Sequence, residues 1–305
     1  MDPLVLLIAP LAALLWGVTN FIDKYLVGKV AKRNDYRGLV VVSSLVAGLI
    51  LTPISLVLTR GQIAADFAGI AIVFLAAVSY VVATIFYFKA LSRNDTSLVV
   101  TAFNLIPVFG YVLGLIFLDE QLDLHQILGG SIIIIASAAI FFEFDKSRFS
   151  RNKLLGLMAL ASLSYAVYFL LFRIATIEHD FNVMAFWYQI GLAVTGVLLC
   201  AGSRRYRKSF VDLIAKNGKI ALGLNLINEA ANLSANLFVN FAMTLAPMAV
   251  VQSLNGFQPI FVFLLGLLLS VCLPKLFKED RRRHVLAQRL MCILLSFAGL
   301  AILCL

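Results

Sequence analysis

One stretch of this sequence, near residues 219 to 243, is largely apolar but carries an acid among several amides. Glu229 lies near its centre, with no cation beside it in sequence. Amide side chains precede and follow Glu229 at steps of three or four residues, which places them on one face of a helix. This polar stripe consists of Asn225, Glu229, Asn232, Asn236 and Asn240.

An acid at this depth in an apolar helix suggests proton exchange. Ionisable groups inside a bilayer are costly, so they normally face a cavity or a partner. A desolvated carboxyl group can take up a proton from one side and release it to the other. We therefore predict that Glu229 is a proton-coupling group and that the stripe lines a cavity. The simpler alternative is that the asparagines only form hydrogen bonds between helices.

Other polar and aromatic residues are placed to complete such a cavity. A proline in mid-helix frees the carbonyl four residues earlier, so Pro107 and Pro259 free those of Phe103 and Asn255. Free carbonyls at membrane depth are tolerated where they line a polar cavity, and Trp16 and Tyr165 could stack on an organic ligand. The predicted substrate-binding residues are Trp16, Asn20, Tyr87, Thr101, Asn104, Tyr165, Tyr168, Asn225, Asn232, Asn236, Gln252 and Asn255.

Four further charged residues fall within apolar stretches. Lys24, Lys89 and Arg173 lie within about two turns of a helix end, where long cationic side chains can reach the membrane interface. Asp23 could neutralise one of them. Interface contact is one explanation for this group, and gating or charge pairing is the other.

The composition requires that these residues lie in membrane-spanning helices. The chain is 62% hydrophobic and only 13% charged, with a mean hydropathy of +0.97, whereas soluble domains are about 25% charged. Apolar stretches of roughly 18 to 25 residues cross about 30 Å of hydrocarbon as a helix. Ten are predicted, near 4–28, 38–59, 67–91, 97–118, 125–143, 153–177, 184–202, 219–243, 248–272 and 286–304.

The basic residues follow the connections between these stretches. Lys and Arg cluster in the odd-numbered connections, for example from Arg204 to Lys219, while the even-numbered ones contain essentially Arg60 alone. Because basic loops stay in the cytoplasm, the odd connections are expected there and both termini outside. The net charge of +9 is then explained by topology and anionic lipid, with no nucleic-acid partner. Scattered histidines and cysteines and the lack of a P-loop indicate no metal, cofactor or ATP.

The chain also repeats itself. Residues 88–109 match residues 240–261 without a gap, which places Pro107 and Pro259 at equivalent positions. Trp16 and the cation eight residues later, Lys24, match Tyr165 and Arg173. The chain is therefore divided into two five-helix halves, residues 1–146 and 147–305. Because each half has an odd number of helices, the second is expected to be inverted relative to the first.

Several of these segments resemble a known family. They are the Leu14 to Phe21 opening, the mid-helix Pro107 and Pro259, the Leu118 to Gln121 turn and the Gln126 to Gly130 segment. Together they resemble the drug/metabolite transporter superfamily, in its EamA-type ten-helix branch. The resemblance implies an all-α integral membrane protein with ten transmembrane helices as two inverted five-helix repeats. It also implies a transporter in the cytoplasmic (inner) membrane, not an enzyme. Because the two halves are fused, one chain is expected to suffice.

The expected function is proton-coupled secondary transport, by alternating access, of a small organic metabolite of the amino acid or organic amine type. The alternative within the same fold is a nucleotide-sugar or organophosphate exchanger, which needs Arg or Lys at the binding depth. An intramembrane lipid-processing enzyme needs clustered acids or a nucleophile with a base, and the acids here are mostly isolated. A non-transporting scaffold would bury the stripe against its neighbours without water.

Overall fold

The structure is a computed structural model that describes residues 2–31, 35–50, 52–94, 96–139, 148–272 and 283–303. It is all-helical, with ten helices in this part of the chain, as predicted. In chain order these are α1 (Pro3–Tyr25, continued as a π-helix over Leu26–Val30), α2 (Arg37–Leu45, π-helical Val46–Ile50 and Thr52–Leu58), α3 (Phe67–Leu91), α4 (Thr96–Thr101, 3-10 helical Ala102–Asn104 and Leu105–Phe117), α5 (Leu124–Ala139), α6 (Arg148–Glu178), α7 (Phe181–Gly202), α8 (Arg204–Leu245), α9 (Met248–Leu254, 3-10 helical Asn255–Phe257 and Gln258–Cys272) and α10 (Arg283–Leu303).

Most of these helices have the length and composition of membrane spans. Among the described residues, six are long and apolar enough to cross a bilayer: α1, α2, α3, α6, α7 and α9. Three shorter apolar helices are Ala102–Phe117, Leu124–Ala136 and Leu290–Ile302. Apolar side chains also cover the outside, with Val57 75% and Ile135 67% exposed. Such a surface suits contact with lipid, and the chain is a multi-pass membrane protein.

Helix α8 differs from the prediction. The sequence suggested a basic loop followed by a helix near 219–243, but helix extends over Arg204–Leu245 and is interrupted only at Asn217, whose φ and ψ are non-helical. The Asn217 side chain donates a hydrogen bond to the Val30 carbonyl, 2.8 Å away, at the end of α1. Arginine and lysine have high helix propensities, so an exposed basic segment can be helical as readily as it can form a loop. The predicted end of helix five at 140–143 and the basic residues from Lys275 to Arg282 lie outside the described residues.

The two helices with the predicted mid-helix prolines, Pro107 and Pro259, change their winding before the proline. Helix α4 contains a 3-10 turn over Ala102–Asn104, ahead of Pro107, and α9 contains one over Asn255–Phe257, ahead of Pro259. Proline removes a backbone donor and clashes with the preceding turn, which favours such tighter winding. The two breaks lie at the depth of the cavity described below.

The main packing pairs of the two halves correspond. Helix α3 packs along α6 while α1 packs along α8, and α2 packs along α8 while α7 packs along α3. If each helix is replaced by its counterpart in the other half, so that α1 becomes α6 and α6 becomes α1, the α3–α6 contact becomes the α8–α1 contact. The α2–α8 contact becomes the α7–α3 contact in the same way. Helix α5 packs along α10, its own counterpart, as α2 does along α7. Two inverted repeats would produce such a correspondence of packing pairs. The assignment of inverted repeats stays a prediction.

Helices α2 and α7 meet at a very close contact. A Cβ atom added at Gly48 would lie only 2.4 Å from the backbone nitrogen of Ala193. Small residues allow two membrane helices to approach in this way. The close approach of α2 and α7 at this point therefore requires a residue without a side chain at position 48.

Candidate functional site

A polar cavity of about 80 Å³ lies between helices of both halves. Since one water molecule needs about 10–15 Å³ of such space, the cavity has room for several waters or part of a small solute. Helices α1 to α4 and α6 to α9 contribute residues to its lining, whereas no described residue of α5 or α10 does. Of the predicted site residues, it brings together Trp16, Asn20, Asp23, Tyr87, Asn104, Pro107, Tyr165, Glu229, Asn232, Asn236, Gln252 and Asn255.

Asp23 is the end point of a hydrogen-bond chain through three helices. Gln258 donates to the Asn20 amide oxygen over 2.8 Å, and Asn20 donates to the Tyr87 hydroxyl over 2.9 Å. Tyr87 in turn donates to Asp23 Oδ2 over 3.0 Å. The other carboxylate oxygen, Oδ1, accepts from Asn228 of α8 over 2.8 Å. The chain therefore connects α9, α1 and α3 of the two halves to one buried acid.

Glu229 lies beside a second group of hydrogen bonds. The Asn232 amide nitrogen lies 3.3 Å from Glu229 Oε2 and also donates to the Tyr80 hydroxyl. Trp16 donates its indole N–H to the Asn232 oxygen over 3.0 Å. The Ser43 hydroxyl of α2 is a further polar neighbour of Glu229. The carboxyl group thus lies between its own helix and α2.

Aromatic rings form one side of the cavity. Tyr165 lies edge-on to Tyr80 and to Phe103, with ring centroids 5.4 and 5.7 Å apart. Trp16 lies edge-on to Phe169 at 6.3 Å. Edge-to-face pairs are a favourable packing of aromatic rings, and all five of these rings line the cavity. The wall is apolar enough to accept a hydrocarbon portion and can attract a positive charge.

The lining is acidic and incompletely hydrogen-bonded. It contains two carboxyl groups, Asp23 and Glu229, but no Lys, Arg or His among the described residues. Three buried amide atoms of the lining have no hydrogen-bond partner among the described residues: Asn104 Nδ2, Asn228 Oδ1 and Asn255 Oδ1. An unpaired buried polar atom costs about 1–3 kcal/mol, so these atoms are suited to binding water or solute.

The predicted binding residues Asn225 and Tyr168 lie outside the cavity, as do Asn240 of the polar stripe and Pro259. Asn225 is fully buried and donates to Ser43 over 2.9 Å, and Asn240 donates to the Tyr168 hydroxyl over 2.6 Å. These contacts are the interhelical hydrogen bonds that the sequence left as the alternative for the stripe. Pro259 is buried next to the cavity without lining it. Thr101 belongs to α4, but its side chain lies outside the described part of the structure.

The cations of the apolar stretches do not line the cavity. Lys24 donates to the carbonyls of Leu91 and Asn94, 3.1 and 2.5 Å away, where it stabilises the C-terminal end of α3. Lys89 and Arg173 are half-buried on α3 and α6. A gating or charge-pairing role for these groups stays a prediction.

A different contact between the halves involves the predicted acidic turn. Glu120, which follows α4, accepts a 2.8 Å hydrogen bond from the backbone N–H of Met248 at the start of α9. Burial raises the pKa of Glu120 above its usual value, while this hydrogen bond and the Arg173 guanidinium act in the opposite direction. Glu120 thus ties the end of α4 to the beginning of its counterpart α9.

Several lining residues were not among the predicted binding residues. The hydroxyls of Ser43, Tyr80 and Thr84 and the amide of Asn228 face the cavity. Tyr80 lies in an apolar stretch, where a tyrosine is as compatible with an anchor at the membrane interface as with a binding site. Ser43 and Thr84 are single hydroxyls in apolar helices, which can bond their own backbone, so spacing alone gives no signal for them.

Comparison with known proteins agrees with this architecture. Residues 3–142 match the EamA-like transporter family. A solved crystal structure is similar over 98% of this chain and 94% of its own, with a TM-score of 0.64 and 14% identity, which bears on the fold alone. No curated protein matches the chain. Residues 3–142 therefore resemble the EamA-like transporter family, and the fold of the chain agrees with this resemblance.

Proposed function

We propose that this chain is a secondary transporter that moves a small organic metabolite of the amino acid or organic amine type across the cytoplasmic membrane. The observation that carries the proposal is the polar cavity between the two halves, which contains a buried acid on a helix of each half. Sites at a repeat interface allow the two halves to rock and expose the cavity to either side in turn. This arrangement supports transport by alternating access.

The packing supports treating residues 1–146 and 147–305 as inverted repeats. If each helix is replaced by its counterpart, the α3–α6 contact becomes the α8–α1 contact. The α4–α6 contact likewise becomes the α9–α1 contact. In such an arrangement each half can take up the contacts of the other, which gives the two states that alternating access requires. One chain is sufficient for this exchange, with the odd-numbered connections proposed to lie in the cytoplasm.

Glu229 is the proposed proton-coupling group. It is 5% exposed, lines the cavity and lies on the helix that packs along both α1 and α2. Its hydrogen bond from Asn232 to Oε2 can persist when the group is neutral, because the proton can reside on the other oxygen. Protonation can therefore change its charge without disrupting the surrounding contacts.

The test is transport by purified protein in liposomes under an imposed pH gradient. The Glu229→Gln protein retains the hydrogen-bond acceptor but cannot exchange a proton, so it should equilibrate substrate without accumulating it. Glu178→Gln, at the exposed end of α6, is the matched control and should accumulate substrate as the wild type does. If Glu229→Gln still concentrates substrate on a pH gradient, the coupling role is wrong.

The organophosphate or nucleotide-sugar alternative is less well supported. Phosphate oxygens are bound most often by Arg and Lys, and the described lining contains neither. The cation nearest in sequence to the cavity acids, Lys24, binds backbone carbonyls instead. The geometry therefore favours a substrate without a phosphate group.

A further inference from the structure

We infer that the substrate of this cavity is a small organic cation, and that Asp23 is the group that binds its ammonium. This inference rests on the proposed transport function and narrows its substrate from amino acids or amines to amines. It also gives the two acids different roles: Asp23 binds the substrate, and Glu229 binds the proton.

The first argument is charge balance. Asp23 and Glu229 line one cavity, and no cation among the described residues accompanies them. A buried carboxylate without a compensating charge costs several kcal/mol in an apolar interior. An ammonium removes this cost, whereas an amino acid brings its own carboxylate into a lining that offers no cationic partner. The lining therefore selects a cation over a zwitterion.

The second argument is the geometry at Asp23. Tyr87 and Asn228 each donate to a different oxygen of the carboxylate, at 3.0 and 2.8 Å. These two donors fix the orientation of the group on opposite sides, from α3 and α8. Each carboxylate oxygen can accept more than one hydrogen bond, so Asp23 keeps acceptor capacity for an ammonium N–H. Asp23 is thus fixed in orientation while it remains able to bind.

The third argument comes from the unpaired amide oxygens of the lining. Asn228 is only 2% exposed, and its Oδ1 has no hydrogen-bond partner among the described residues while its Nδ2 binds Asp23. Asn255, from the 3-10 turn of α9, also leaves its Oδ1 unpaired in the same lining. An ammonium has three donors, which one carboxylate and amide oxygens can accept together. A buried acceptor next to a buried acid suits this ligand.

The aromatic wall completes the fit. Trp16 and Tyr165 belong to equivalent positions of the two halves and both line the cavity, as does Phe169. An aromatic face attracts a cation by about 0.5–2 kcal/mol and also accepts an alkyl chain. The ligand that matches all these groups is an amine with a short hydrocarbon portion.

The experiment measures binding to the purified protein rather than transport. Trp16 is one of two tryptophans in the chain and lines the cavity, so its fluorescence reports on occupancy. The probes are butylamine, norvaline and 1-butanol, which share a hydrocarbon chain and differ as cation, zwitterion and neutral molecule. We expect butylamine to bind at least tenfold more tightly than either of the others.

Substitutions assign the ammonium to one acid. Asp23→Asn should weaken butylamine binding at least tenfold, whereas Glu229→Gln should change it less than threefold. Asp119→Asn, in the exposed turn after α4, is the control and should bind as the wild type does. If Asp23→Asn does not fold, Asn228→Ala replaces it, because this change removes the unpaired acceptor beside Asp23.

The results separate this inference from the transport proposal. Absence of butylamine binding, or equal binding of norvaline or butanol by the wild type, overturns the inference whatever the variants do. Wild-type affinity in Asp23→Asn, or a larger loss in Glu229→Gln, overturns the role of Asp23. Selective binding of the cation by a protein that shows no pH-driven accumulation would support the site and contradict only the proton coupling.

Discussion

Replacing Tyr87 by Phe removes one hydroxyl from the centre of the hydrogen-bond chain that ends at Asp23. This hydroxyl accepts from Asn20 and donates to Asp23, at 2.9 and 3.0 Å, and the side chain is 4% exposed. A hydrogen bond between neutral groups contributes about 1 kcal/mol, and one to a charged group about 1.5–3 kcal/mol. The ring keeps its contacts with Phe88 and Phe103, so the expected loss of unfolding free energy is about 2–4 kcal/mol.

The assay is equilibrium unfolding in mixed detergent micelles, followed by circular dichroism. Tyr111→Phe is the matched control, because Tyr111 is 37% exposed on α4 and its hydroxyl has no partner among the described residues. The control should change the free energy by less than about 0.5 kcal/mol. A Tyr87→Phe protein as stable as the control would refute the argument, since it would mean that the hydroxyl does not join Asn20 to Asp23.

Two further predictions concern contacts between helices. Gly48→Ala should destabilise the protein by about 1–3 kcal/mol or more, because the new Cβ would meet the backbone of Ala193. Gly223→Ala, which meets nothing within 4 Å, should instead be neutral or stabilising by up to about 1 kcal/mol. Because burial raises the pKa of Glu120, protonation favours the folded state. The wild type should therefore lose stability relative to Glu120→Gln as pH rises from the unfolded-state pKa through the folded-state pKa.

Each of these predictions has a clear contradicting outcome in the same unfolding assay. Equal stabilities of the two glycine variants would mean that α2 and α7 do not meet at Gly48. A stability difference between wild type and Glu120→Gln that is constant from pH 4 to pH 8 would mean that the carboxyl group is not desolvated beside Met248. The Gln side chain can still accept the Met248 hydrogen bond, so the comparison isolates the charge.

Regular features of the sequence predicted much of the fold. Helix number and approximate position follow from apolar stretches, because hydrocarbon requires each span to satisfy its own backbone. The periodic spacing of Asn225 to Asn240 identified the polar face of α8, and Pro107 and Pro259 indicated the two helix breaks. Helix α8 was predicted too short, because a run of basic residues is compatible with both a loop and an exposed helix.

Which polar residues share the cavity was decided by the tertiary structure alone. The sequence gives no reason for Asn225 and Asn240 to bond to Ser43 and Tyr168 while Asn232 between them faces the cavity. These outcomes depend on which helix crosses α8 at each level.

The pairing of Asp23 with Asn228 is a similar case, since 205 residues separate them. The sequence indicated Asp23 only as a neutralising partner for a nearby cation, because charge attraction is the simplest relation between neighbours. Its neighbour Lys24 points instead to the end of α3, since successive side chains on a helix face different directions. The sequence by itself thus determined the helices, their polar face and the acid at its centre. The tertiary structure decided that Asp23 lines the same cavity as Glu229. Only the packing of α1 against α8 brings side chains so distant in sequence together.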